Sequence, residues 1–394
     1  MKRNFILAGS FALLFMVANA QKNESVFKKE YVKKTEIEFL YNHYMQDGNN
    51  SAVTGGIGTE RLTVVAPQIS AMHTYRNGRT LFTKLGIDVI TSASTDNIDF
   101  IKSSASVRDA RTHLDVVYSR QIKDNVAVSF GGGFSIESDY LSLPLNAGLS
   151  ISDKKGLRTF GIDFQSYFDD LRWGRLSPSF APEKLIYPVE LRTKRWFNEY
   201  KRNSYNLRLS LTQVLNKRNR IGFYPELSYQ QGLLSTPFHR VYFNDGSLRV
   251  ENLPNQRWKA SIGIKLNTFV GGRTILKNTV DFYGDSFSVR SIGLENETSI
   301  KVTRTLVLAP LVRYYVQQGS SYFAAYKAHT PDEEFYTSDY DLSTMTTRKI
   351  GLAIRYKPIA REGKQKKGIE ISYSTFRRSN GLEAHIISCS YKMY

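Results

Sequence analysis

Asn203-Ser-Tyr205-Asn-Leu207-Arg-Leu209-Ser-Leu211-Thr and, further on, Trp258-Lys-Ala260-Ser-Ile262-Gly-Ile264-Lys-Leu266-Asn share one pattern. Every second residue is apolar or aromatic, and those between are polar, charged or glycine. Successive side chains of a strand point to opposite faces, so each segment has one greasy wall and one wet wall. A soluble sandwich could use the same alternation. Repetition decides against it: about sixteen such segments of roughly ten to fourteen residues follow one another, the signature of a membrane-spanning β-barrel.

Taken in order, alternating segments are expected near 35–44, 61–75, 80–92, 109–121, 126–137, 142–152 and 160–168. They continue through 203–212, the stretch ending at 231, the pair flanking Gly271-Gly272, and onward to 303–317 and the C-terminus. Pro67 cannot donate to a ladder and should mark a bulge. Arg76-Asn77-Gly78-Arg79 reads as a hairpin turn, with Asn-Gly supplying positive φ. Cys389 falls on an apolar, outward-facing position.

Connection lengths sort by parity. Those after even-numbered segments, near 76–79, 122–124, 152–156, 216–219, 270–273, 300–302 and 359–365, are short. The long ones, near 46–60, 93–108, 170–202, 232–256 and 318–346, follow odd-numbered segments. Barrels of the outer membrane have short periplasmic turns and longer outer loops, and a sandwich has no reason to sort its loops this way. The fold expected is an all-β, antiparallel, up-and-down transmembrane barrel of about sixteen strands, with fourteen as the alternative count.

Met1-Lys-Arg-Asn, an apolar run from Phe5 to Val17 and Ala18-Asn-Ala20 describe a cleavable secretory signal, because the run is too short to span a bilayer. The expected division is a signal peptide at 1–20, a mature start at Gln21, a periplasmic segment at 21–34 and a barrel at 35–394, placed in the outer membrane of a Gram-negative bacterium. Aromatic residues make up 13% of the chain, with 24 Tyr and 23 Phe, as expected where rings line two membrane interfaces. The single cysteine excludes an intrachain disulfide, a cysteine metal cluster and CxxCH haem attachment. The net charge of +18 suits a cationic lumen and loops meeting anionic lipopolysaccharide; no nucleic-acid-binding motif accompanies it.

The stretches Glu38-Phe-Leu-Tyr-Asn-His43-Tyr-Met-Gln-Asp47 onward to Glu60, Leu185-Ile-Tyr-Pro-Val-Glu-Leu191, Tyr229-Gln-Gln-Gly-Leu-Leu-Ser-Thr-Pro-Phe-His-Arg-Val-Tyr-Phe243 and Glu334-Phe-Tyr-Thr-Ser-Asp-Tyr-Asp-Leu342 span nearly the whole mature chain. In them the chain resembles an uncharacterised family of Bacteroidetes outer-membrane barrels of unknown function. The resemblance implies a barrel and an outer-membrane location, and it brings no catalytic residue or cofactor. The family's association with exported thioredoxin-like and flavin-transferring proteins implies a periplasmic or surface partner engaged in redox work.

The inward positions collect Lys84, Arg208, Lys259, Lys265, Arg313, Arg355 and Lys357 against Asp88, Asp115, Asp163, Glu226 and Glu370. One reading is a water-filled pore whose field favours anions; the other is that these charges pair and merely solvate the lumen. At the mouth, Ser235-Thr236-Pro237-Phe238-His239-Arg240 holds a serine and a histidine, the elements of a rim hydrolase, in a non-periodic stretch where spacing fixes no geometry. A structured loop folding into the mouth is the plainer reading. Asp332, Glu333, Glu334, Asp339 and Asp341 offer oxygen ligands but lack EF-hand spacing, and read as a solvated loop. The six histidines show no metal-ligand spacing, so neither metal nor cofactor is expected. The basic loop 170–202 is expected to form a cap. The C-terminal strand, ending at Tyr394, is the expected contact for the barrel-assembly machinery.

Overall fold

The computed structural model describes residues 33–92, 108–137, 140–171, 201–236, 239–359 and 366–394. The signal peptide at 1–20, the start at Gln21, most of the segment 21–34, and nearly all of the expected loops 93–108 and 170–202 lie outside them.

The strands are β1 (Lys34–Asp47), β2 (Leu62–Thr74), β3 (Arg79–Ser92), β4 (Arg108–Lys123), β5 (Val126–Ile136), β6 (Leu141–Ser152), β7 (Arg158–Asp170), β8 (Lys201–Val214) and β9 (Asn219–Gly232). There follow β10 (Arg240–Tyr242), β11 (Leu248–Val250), β12 (Gln256–Val270), β13 (Thr274–Asp285), β14 (Arg290–Lys301), β15 (Leu306–Gln318), β16 (Met345–Tyr356), β17 (Lys367–Arg378) and β18 (Glu383–Met393). Sixteen of them close into one barrel: each pairs antiparallel with its sequence neighbour, β9 pairs with β12, and β18 returns to β1. The remaining two, β10 and β11, form a separate hairpin within the β9–β12 connection.

The outer wall is apolar because the strands alternate. Phe130, Leu227 and Ile350 are 62%, 57% and 60% exposed although they sit in mid-strand, so they face lipid. Among the described residues no helix is long and apolar enough to cross a membrane; the strands make the crossing. Near the long-loop rim Tyr229 stacks on Trp258 at 4.4 Å, and Phe168 meets Tyr205 edge-on at 6.4 Å. Aromatic rings of this kind mark the interfacial girdle. Cys389 stands opposite Tyr41, which is itself exposed on this outer face.

Two local expectations are corrected. Pro67 makes no bulge: pairing of β2 with β3 lapses at Ala66 and Pro67 and resumes in the same register at Gln68. The missing N–H costs a bond without adding a residue. The register shift instead lies between Gln121 and Lys123, at the end of β4. At the first hairpin, Gly78 alone takes positive φ (75°), and its N–H donates to the Tyr75 carbonyl at 3.0 Å while Tyr75 N–H reaches the Arg79 carbonyl at 2.8 Å. That is a turn closed by one left-handed glycine rather than an Asn-Gly pair with both residues left-handed.

On the inner face β5 and β6 carry small residues. A β-carbon at Gly133 would collide with the Leu114 carbonyl, and one at Gly148 would meet the Ser129 hydroxyl and the Asp163 carboxylate. Glycine there allows adjacent strands and their side chains to approach closely.

Candidate functional site

The lumen wall is a lattice of ion pairs between neighbouring strands and, in places, between strands one apart. Lys84 on β3 meets Asp115 on β4 at 2.6 Å, and Arg111 on β4 donates through Nε to Asp88 on β3 at 2.8 Å. Arg208 on β8 meets Glu226 on β9 at 2.7 Å. Arg355 on β16 reaches Glu370 on β17 and, through Nη1, Glu297 on β14, each at 2.9 Å; Lys277 on β13 shares Glu297 at 2.8 Å. Arg313 lies 3.7 Å from Glu295 and 3.9 Å from Asp281. These pairs follow from register: Lys84↔Asp115, Arg208↔Glu226 and Arg355↔Glu370 are direct cross-strand neighbours.

Of the twelve charges read from the sequence, most are therefore matched. Four have no oppositely charged group within 4.0 Å among the described residues: Asp163, Lys259, Lys265 and Lys357. Lys265 Nζ sits 5.4 Å from the centroid of the Tyr224 ring, and Lys357 Nζ sits 6.0 Å from that of Tyr394, which Lys34 also approaches at 5.3 Å. Ring faces stabilise ammonium groups without neutralising them. Sequence reasoning missed Arg111, Arg202, Arg257, Lys277, Glu295 and Glu297. Strict parity from the strand ends would have found each, since all share the inward alternation of the residues already named.

Above the wall, three connections far apart in sequence fold into one body, a roof over part of the mouth. The β10–β11 hairpin turns at Asp245-Gly246, with Gly246 at φ 87°. Its Val241 and Phe243 are wholly buried. The Phe243 ring packs edge-on to Tyr336 at 4.9 Å and under the Arg249 guanidinium at 4.3 Å, and it faces His329 at 5.8 Å. Backbone bonds stitch the β9–β12 and β15–β16 connections together: Tyr336 N–H donates to Asn252 O at 2.7 Å, Asn252 N–H to Tyr336 O at 3.1 Å, and Asn244 N–H to His329 O at 2.9 Å. The β1–β2 connection joins them through Gly56, where a β-carbon would press on the Ser338 carbonyl. The roof is anchored to the wall by Gln317 Nε2, which donates to the carbonyls of Asp341 and Ser343 at 2.9 and 2.8 Å, and by Arg378, which holds the Asp341 carboxylate at 2.5 Å.

Inside the roof, His239 Nδ1 lies 3.4 Å from Glu251 Oε1 and 4.0 Å from Asp339 Oδ2. Burial opposes charge on the imidazole, but the Glu251 carboxylate beside it outweighs burial, with help from Asp339, and the His239 pKa is raised. Burial pushes Asp339 up to about 6, against the pull of His239. Thr337 Oγ1 and Thr236 N–H donate to the two oxygens of buried Glu251, at 2.5 and 2.6 Å. The three residues place one ligand atom each within 4.8 Å of one another. Imidazole and carboxylates of this kind suit a divalent transition metal, and the same atoms are also satisfied as an ion-pair network.

Ser235 does not join this group: its buried Oγ accepts from Leu253 N–H at 2.7 Å, while His239 faces the two carboxylates. Thr236 O accepts from His239 N–H at 3.0 Å, Arg240 opens β10, and Pro237 and Phe238 lie outside the described residues. The acidic stretch expected to be solvated is largely engaged. Glu333 meets the His329 imidazole at 2.5 Å and receives Thr330 N–H at 2.9 Å, Asp341 pairs with Arg378, and Asp339 faces His239. Glu251, the central acid, carried no local signal, because its partners stand 12 to 86 residues away.

Residues 102–383 match a family described as Protein of unknown function (DUF3570). No curated protein matches the chain. Among solved structures it is similar to a BenF-like porin from Pseudomonas fluorescens Pf-5, at 8% identity over 91% of this chain and 98% of that one, with a TM-score of 0.44. It is also similar to a bacterial polysaccharide outer membrane secretin (8%, 91% and 97%, TM-score 0.48) and to OccK7 (OpdD) from Pseudomonas aeruginosa (8%, 92% and 98%, TM-score 0.46).

Proposed function

For this chain, which belongs to the DUF3570 family, we propose a role as an outer-membrane pore that passes small solutes passively through a lumen of net positive charge. One observation carries the reading: sixteen strands close a ring in which, among the described residues, the twelve inward charges read from the sequence pair off and leave Lys259, Lys265 and Lys357 against Asp163. Porins of sixteen to eighteen strands leave an aqueous channel, whereas eight-stranded barrels are just wide enough for side chains to fill. Charges that survive pairing set the field a permeating ion meets.

In this reading the signal at 1–20 exports the chain, Gln21 begins the mature protein, and the short turns face the periplasm. The long loops then meet lipopolysaccharide, and the C-terminal strand engages the assembly machinery. No catalytic step, metal or cofactor is part of it. A rim hydrolase is less well supported, since Ser235 Oγ is engaged by a backbone amide and His239 by carboxylates.

One observation favours a second reading, a scaffold that holds a periplasmic or surface partner, redox-active or not: the roof is a folded body with its own core and not a fringe of solvated loops. Purified protein in planar bilayers separates the two. The pore gives discrete ohmic current steps. A correctly folded barrel that carries no current, and co-purifies with a stoichiometric partner, would replace the pore with the scaffold.

A further inference from the structure

On the lumen wall below the roof is a recess of about 320 Å³, within the size class of small-molecule sites, about 300–1,000 Å³. Its floor is short: Ser204 and Asn206 from β8, Ser228 from β9 and Ser261 from β12, with Tyr167 and Tyr283 at its sides. Lys259 also lines it. In register Lys259 stands opposite Asp285, the obvious carboxylate for it. Asp285 is already taken: Arg257 Nε and Tyr283 Oη donate to Oδ2 at 2.9 and 2.7 Å, and Phe287 N–H and Val289 N–H donate to Oδ1 at 2.9 and 3.0 Å.

The other carboxylates nearby are matched as well. Asp169 is held by Arg202 at 2.9 Å, and Glu226, which lines the same recess, by Arg208 at 2.7 Å. Among the described residues no carboxylate lies within 4.0 Å of the Lys259 ammonium, so its three donors are left for whatever enters.

We infer that this recess binds a small polyhydroxylated monocarboxylate, a sugar acid, with the carboxylate on Lys259 and the hydroxyls on the serine, asparagine and tyrosine lining. The inference rests on the pore reading and names its substrate class. Among the described lining residues Lys259 is the one cation, and one cation selects one negative charge; a phosphate dianion would call for a second. A zwitterion would need a free carboxylate, and Glu226 is occupied. The floor and sides offer hydroxyl and amide groups, which donate and accept, so they select a hydroxylated body over an aliphatic acid.

The test is titration calorimetry on the detergent-solubilised full chain, with gluconate as probe and glucose and acetate as controls, in wild type and Lys259→Gln. Calorimetry needs no conduction, so a protein that binds gluconate but passes no current leaves the recess standing and removes only the pore. The inference expects saturable heat with gluconate, and affinity about tenfold or more weaker in K259Q, as losing a charged hydrogen bond implies. Glucose and acetate should each bind more weakly than gluconate. Gluconate heat unchanged in K259Q, acetate binding as tightly as gluconate, or no gluconate heat in a folded wild type would overturn it. Ser261→Leu, which fills the floor and keeps the charge, should also weaken gluconate; unchanged binding there would place the ligand elsewhere.

Discussion

The wall and the roof are stabilised by opposite means. In the wall, polar side chains recur every second residue, and their ion pairs are half-open to the lumen, where each is worth about 0–1 kcal/mol. What holds the wall is the closed ladder, in which every strand is paired on both sides. The roof has no such ladder. It depends on a few wholly buried side chains and on groups brought together from positions some 80 residues apart, such as Asn252 Nδ2 donating to the Glu334 carbonyl at 2.6 Å. A change to one side chain should therefore be severe in the roof and mild in the wall.

The sharpest way to break that contrast is Phe243→Ala. Phe243 is wholly buried between Tyr336, His329 and Arg249, and deleting such a ring costs about 3–5 kcal/mol. Limited proteolysis should cut within 233–255 while the barrel keeps its heat-modifiable mobility on gels. Loss of barrel and roof together would show that they fold as one unit.

Titration of the roof comes next. His239 has a raised pKa, so its stabilising contribution is complete below the unfolded value of about 6.5 and is lost as pH rises through the folded value. Asp339 works in the same direction lower on the scale: its contribution is complete below 3.8 and fades as pH rises through about 6. The protection of the β10–β11 hairpin amides against hydrogen exchange, taken relative to their intrinsic rates at each pH, should fall toward alkaline pH. His239→Asn should flatten the upper part of that dependence and loosen the roof at neutral pH by about 1.5–3 kcal/mol, the worth of a hydrogen bond to a charged group. A roof that tightens above neutral pH would contradict this.

The smallest stability effect belongs to the wall. Arg355→Met frees Glu370 and leaves Glu297 to Lys277 alone, and the thermal midpoint should move by the equivalent of about 1 kcal/mol or less. Selectivity should shift toward cations, because two carboxylates lose their shared partner. A large loss of stability would make the lattice more than a lining.

How much of this was legible beforehand follows the same divide. Period-two alternation survives in every barrel strand, so the faces of Lys84, Arg208 and Lys259 could be read from sequence, and loop parity gave the two ends. Turn chemistry was half legible: Gly78 takes the positive φ expected of it, but Asn77 does not. The roof was illegible, because neither Glu251 nor Thr337 carries a pattern that points to His239. Pairing was illegible too. Lys259 and Arg208 have the same alternation, and only the saturation of Asp285 by Arg257, Tyr283 and two amides leaves one of them free.

The most direct measurement is the reversal potential of the reconstituted barrel across a tenfold KCl gradient. Cations left over after pairing require chloride to carry more of the current than potassium, and Lys259→Gln to reduce that preference. A potassium preference, or a reversal potential at zero, would mean that the lumen is not the net positive channel described.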